Sequence, residues 1–190
     1  MAKSYEILRS LPATGPMYIP ISNGITYISD FSEGFIVKFF KSGGDEWVGN
    51  FKLGLKQFSA VFELDKSNVL IIAGGAGYVM SAEQEVPLSF LNINYCNGFQ
   101  TPDGRVILHN DIEITVIEPD GSFWISGRIS IDGLTITTVE HNIIKGQYSD
   151  HNRNWGWFDF TLNIDTKETT GIQYNLDESP MQKKFWWKIW

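Results

Sequence analysis

The chain has 190 residues and a formal charge of −7, from 15 Lys and Arg against 22 Asp and Glu. That sign repels phosphate backbones and argues against nucleic acid, while an acidic surface suits a basic protein partner or simple solubility. Hydrophobic residues make up 43% and aromatic ones 14%, enough for one all-β domain over residues 1–190 to fold without metal or cross-link.

Residues 1–10 lack the apolar run of a signal peptide, and nowhere do about 18 uncharged apolar residues follow one another. The expectation is a cytoplasmic protein with no membrane span. Cys96 is the single cysteine, so no internal disulfide forms, and between Tyr95 and Asn97 it reads as a small buried hydrophobe rather than a nucleophile.

In chain order, residues 4–11 can place Ile7, Leu8 and Leu11 on one helical face before Pro12 and Gly15-Pro16, which predicts a short N-terminal helix. From Pro16 onward, Asn23-Gly24, Gly43-Gly44, Asp103-Gly104, Asp120-Gly121 and Asp132-Gly133 separate runs rich in Val, Ile, Phe, Trp and Thr. Such dipeptides supply the positive φ angles that tight turns need.

Residues 34–41 and 46–51, joined at Ser42-Gly43-Gly44-Asp45, read as a hairpin. Residues 60–64 and 69–73 read as another, and the second of these runs is apolar on both faces, as a central strand would be. Gly74-Gly75-Ala76-Gly77 follows a strand, as a dinucleotide-binding turn does. Counted from Gly75, however, the third glycine of that motif falls at Met80, and no long amphipathic helix comes before Pro87. A bulge or tight bend is the expectation there.

A further hairpin joins residues 112–117 to 122–126 through Pro119-Asp120-Gly121, with Ile112, Ile114 and Val116 alternating with Glu113 and Thr115. Short strands continue over 129–131, 134–139, 143–148 and 157–164. Sliding the chain by 53 residues lays 61–74 on 114–127, with apolar residues coinciding at five positions. A propeller blade takes about 40–45 residues. An antiparallel sandwich or open barrel of consecutive hairpins therefore suits the length, with a small propeller-like arrangement as the alternative.

The C-terminus, residues 183–190, places Trp186, Lys188 and Trp190 on one strand face and Phe185, Trp187 and Ile189 on the other. It reads as a final strand closing the sheet, or as an exposed aromatic tail for docking a partner.

No catalytic, cofactor or metal motif emerges. His109, His141 and His151 each neighbour a carboxylate, and Asp111 could orient His109 for general-base work if the two share a strand face. No His-x-His pair and no nucleophile-elbow Ser accompany them. Two carboxylates suffice for glycoside hydrolysis, but sequence spacing selects no pair. Residues 150–158 offer a better lead, because Asp150 and Arg153 lie beside Trp155 and Trp157, with Phe158 on the opposite face. This mixture suits a protein hot spot or a sugar-stacking platform, against the alternative that the tryptophans fill the core.

Residues 45–51, 70–79, 126–134 and 144–150, with Trp157-Phe158 and 165–171, resemble a widespread bacterial family of uncharacterised β proteins over about residues 34–175. Some members look similar to immunity proteins of contact-dependent or secreted toxin systems. The resemblance implies an immunity-like, non-enzymatic binding protein but carries over no toxin-binding residue. The acidic charge and the aromatic residues themselves suggest a surface that occludes a basic toxin, with Trp190, outside the resemblance, among its candidate contacts. Carbohydrate binding or hydrolysis through Trp155 and Trp157 is the alternative, and a structural module of a larger assembly is a third.

Overall fold

Runs of β-branched and aromatic residues, interrupted by residues that favour turns, fold into strands alone among the described residues. A computed structural model describes residues 3–15, 17–22, 33–65, 68–150 and 156–172. Sixteen strands are arranged there in four sheets of four.

Sheet 1 holds β1 (Tyr5–Leu8), β2 (Tyr18–Ile21), β3 (Phe35–Phe40) and β4 (Glu46–Phe51) in the order β1-β3-β4-β2, with β2 parallel to β4. The other three are antiparallel meanders. Sheet 2 runs through β5 (Ala60–Glu63), β6 (Asn68–Ala73), β7 (Ala76–Ser81) and β8 (Ser89–Phe90). Sheet 3 runs through β9 (Asn97–Gln100), β10 (Val106–His109), β11 (Glu113–Ile117) and β12 (Phe123–Arg128). Sheet 4 runs through β13 (Leu134–Glu140), β14 (Ile143–Asp150), β15 (Gly156–Asn163) and β16 (Thr169–Thr170).

The all-β expectation holds, and the strands do not curl into a closed barrel. They divide into four sheets stacked in chain order. The meanders begin at Ala60, Asn97 and Leu134, a regular interval of 37 residues. The 53-residue alignment instead laid the first hairpin of sheet 2 on the last hairpin of sheet 3, because any two hairpins with alternating apolar residues resemble one another.

The N-terminal helix is absent. Residues 5–8 are β1, paired with β3 from Tyr5↔Phe39 to Leu8↔Ile36, and the Phe40 amide donates to the Ser4 carbonyl at 2.9 Å. So short a helix is marginal in water, whereas the open edge of β3 offers partners to the backbone. Tyr5 packs against the core and Ile7 is half-exposed.

The core explains the stacking. Val69, Ile71, Ala73, Tyr78 and Met80 point from sheet 2 toward Val37, Phe39, Trp47 and Phe51 of sheet 1. On the other face, Leu70, Ile72 and Val79 meet Val106, Leu108 and Ile117 of sheet 3. Sheet 3 repeats the device, turning Ile107, Ile114 and Val116 toward Ile144, Tyr148, Phe160 and Leu162 of sheet 4. The two-faced apolar reading of residues 69–73 thus follows from a sheet buried on both sides, each large aliphatic side chain contributing about 1.5–3 kcal/mol.

Thr115 departs from the expected polar exterior. It is fully buried between sheets 2 and 3, where its hydroxyl accepts from Tyr95 Oη at 3.0 Å. The run 74–77 is the tight bend expected: Gly74 and Gly75, at φ +56° and +87°, form the two-residue turn between Ala73 and Ala76. Among the described residues no helix is long and apolar enough to cross a membrane.

Candidate functional site

Alternation along β15 turns Phe158, Phe160 and Leu162 into the core, so Trp157 points the other way and is 53% exposed. It lies opposite Ser149 of β14. One register step along the same polar face, Gln147 Nε2 donates to Asp159 Oδ1 at 2.9 Å. Asp150, named with Trp157 from the sequence, is buried at the end of β14 and is not presented beside the indole. Arg153, Trp155 and Trp190 lie outside the described residues, as do His151 and the rest of the aromatic tail.

The His109 and Asp111 pair does not assemble as a base and its orienting group. His109 is buried, with Nδ1 3.2 Å from the Asn110 carbonyl, and burial pushes its pKa below the ordinary value. The Asp111 carboxylate instead accepts from Lys56 Nζ at 2.6 Å and from Cys96 Sγ at 3.4 Å. Lys56 draws the Asp111 carboxyl down, whereas burial first and Asp111 next push the Cys96 thiol up. A thiol held in its protonated form is a poor nucleophile. Among the described residues no group of three His, Cys, Asp or Glu is placed to hold a metal ion.

A richer arrangement occupies one end of sheets 3 and 4. In an up-and-down meander the first and third turns lie at the same end, so residues 101–105 and 118–122 gather at one end of sheet 3. Residues 141–142 and 164–168 gather likewise in sheet 4. Arg105 joins the two sets. Its Nη2 and Nε donate to Asp103 Oδ2 at 2.5 and 2.8 Å, and its Nη1 donates to Asp165 Oδ1 at 2.9 Å. Asn142 Nδ2 completes the bridge, donating to Asp165 Oδ2 at 2.9 Å. The Arg105 guanidinium and the Thr101 hydroxyl together hold the Asp103 carboxyl down at about 2.

A cavity lies on either side of this bridge. One, of about 290 Å³, lies between the edges of β9 and β13 and is lined by Phe99, Thr101, Ile136, Val139 and His141. The other, of about 410 Å³, is lined by Arg105, Glu118, Phe123, Trp124, Asp165 and Lys167. In it Lys167 Nζ sits 5.2 Å from the centre of the Trp124 ring.

His141 and Lys167 are the two non-glycine residues with positive φ among the described residues, at 55° and 61°. Each therefore adopts a backbone conformation that costs about 1–2 kcal/mol outside glycine, and each lines one of the two cavities. No motif in the sequence marks them, because the strain belongs to the turn geometry. Their placement in short turns between strands was the available signal.

The charge at this end is lopsided. Asp103, Glu118, Asp120, Glu140, Asp165 and Glu168 accompany three cations, Arg105, Lys167 and Lys145, the last paired with Glu140 at 3.0 Å. Arg105 is paired with aspartates, and Lys167 lies over an aromatic ring.

No family model matches the chain, and no curated protein is similar to it. Among solved structures, a chain of the S. cerevisiae assembly of a Dbp5 variant with Nup159, Gle1, IP6 and ADP is similar at 15% identity and a TM-score of 0.38. The match covers 65% of this chain and 35% of that one, and a TM-score of that size does not establish a shared fold.

Proposed function

We propose that the protein is a non-enzymatic binding domain of bacterial origin that docks a basic protein on the turn end of sheets 3 and 4. On this reading it is a cytoplasmic immunity protein occluding a cognate toxin. The observation that carries the proposal is the excess of carboxylates on those four turns, set on a scaffold fixed by the Arg105 bridge. Opposite charge speeds encounter, and a pre-ordered surface avoids the entropy cost of arranging it. The resemblance to immunity-like β proteins agrees with a partner of this kind.

The test is co-expression with the product of the neighbouring gene. The wild type should co-purify with it, and Glu118→Lys with Glu140→Lys should slow association about tenfold, while loss of the exposed Lys145–Glu140 pair lowers the melting temperature by no more than about 4 °C. An isolated gene whose loss leaves resistance unchanged would sink the proposal. Exposure of Trp157 on a polar strand face favours carbohydrate stacking as a second reading. That reading requires ligand-induced quenching of tryptophan fluorescence that is lost in Trp157→Ala.

A further inference from the structure

We infer that the 410 Å³ cleft is a receptor for an arginine side chain of the partner, and that Lys167 is the internal cation holding the site until that side chain arrives. The inference rests on the protein-binding reading above and adds a defined anchor to it.

Three observations converge on the cleft. First, the structure already shows a cation over Trp124, with Lys167 Nζ at 5.2 Å from the ring centre. An indole face attracts guanidinium as it attracts ammonium, and the flat guanidinium can also stack upon it.

Second, the walls carry the matching charge. Glu118 and Asp165 both line the cleft. Asp165 is committed to Arg105 and Asn142. Among the described residues no side-chain hydrogen bond or ion pair to Glu118 is found, so its carboxylate is available to an incoming donor. Arg105 also faces the cleft, but its charge is balanced by Asp103 and Asp165.

Third, the internal cation is held at a cost. Lys167 has φ 61°, a conformation natural to glycine, in the turn closed by the Asn163 amide donating to the Glu168 carbonyl at 2.9 Å. A glycine there would relax the turn, so the position is occupied by lysine at the expense of stability. A lysine on a flexible stem can swing out of the cleft, whereas a filled core side chain could not.

The competition is direct: the partner's arginine and Lys167 cannot both lie over the same ring face. Removing the lysine should therefore tighten binding of a foreign guanidinium by about the worth of an exposed cation over an aromatic ring, a three- to fivefold change.

The experiment titrates the full chain with Nα-acetyl-arginine amide, following the Trp124 indole N–H resonance, which is identified by its disappearance in Trp124→Phe. The wild type should respond weakly. Lys167→Gly should respond at about three- to fivefold lower concentration, and Glu118→Gln should respond more weakly than the wild type. Lys167→Asn, which also tolerates the left-handed backbone, should behave as the glycine variant does. Nα-acetyl-glycine amide should leave the resonance unmoved.

Equal responses from the wild type and both Lys167 variants, a response to the glycine probe, or silence in every variant would each overturn the inference. Failure of the probe with partner capture intact would remove the arginine anchor alone. A normal probe response with no partner captured would remove the protein-binding reading alone.

Discussion

The Tyr95 hydroxyl donates to the Thr115 hydroxyl at 3.0 Å inside the interface between sheets 2 and 3, where both side chains are almost wholly buried. The Tyr95 hydroxyl has a second partner in the Asn92 backbone, so loss of the Thr115 hydroxyl leaves it one bond, whereas loss of the Tyr95 hydroxyl takes a partner from both Thr115 and Asn92. Tyr95→Phe should lower unfolding free energy by about 1–2 kcal/mol in urea titration. Adding Thr115→Val to that variant should cost less than Thr115→Val does alone, and strict additivity of the two losses would show that the hydroxyls are not coupled.

His109 predicts a dependence on pH. Burial lowers its folded pKa below the ordinary 6.5, while the unfolded chain keeps the ordinary value. The unfolded state therefore binds the proton first, so this stability is complete above about pH 6.5 and is lost as the pH falls toward the folded pKa. Urea midpoints at about pH 8 and about pH 5.5 should show the decline, and His109→Gln should flatten it.

Asp103 predicts a second loss, under acid. Its folded pKa is about 2 against an ordinary 3.8, because Arg105 and Thr101 bond to the ionised form. The stability it contributes is present above about pH 4 and disappears as the pH falls through about 2. The carboxylate is half-exposed, so screening by water limits the contribution to about 1 kcal/mol. Arg105→Ala should lower stability by about that amount at neutral pH and show a smaller further loss between about pH 4 and 2.

Gly75 leaves no room for a side chain. With φ at +87°, an added Cβ would lie 2.9 Å from the Tyr95 carbonyl oxygen and 3.0 Å from Lys56 Cβ. Gly75→Ala should destabilise by about 1–3 kcal/mol, and a melting temperature unchanged from wild type would refute the turn geometry.

His141→Gly should do the opposite. At φ 55° the histidine is strained, and its replacement should raise stability by about 0.5–1 kcal/mol. Calorimetry should show a rise of about 1–4 °C.

The hairpins were legible because their punctuation is local: Gly43-Gly44, Asp120-Gly121 and the glycines at 74 and 75 mark turns whatever the rest of the chain does. What the periodicity of β11 could not convey was that its second face is also covered, which is why Thr115 is interior. Residues 4–11 misled because a helical spacing of Ile7, Leu8 and Leu11 counts for less than the vacant edge of β3. The face opposite Phe158 was correctly given to Trp157, while its exposure depends on sheet 4 having its apolar neighbour on the other side. Arg105, Asn142 and Asp165 are brought together only by the stacking of two sheets, so no window of sequence contains their bridge.

Among the described residues, each of the three apolar interiors is shared by two consecutive sheets, and none contains side chains from both the first and the fourth. The free energy is then a sum of nearest-neighbour couplings along a short row, as in repeat proteins. Fraying should start at the outer members and move inward, so amide exchange should be slowest in β6, β7, β10 and β11. A ligand seated across the last coupling would suppress opening from that end alone.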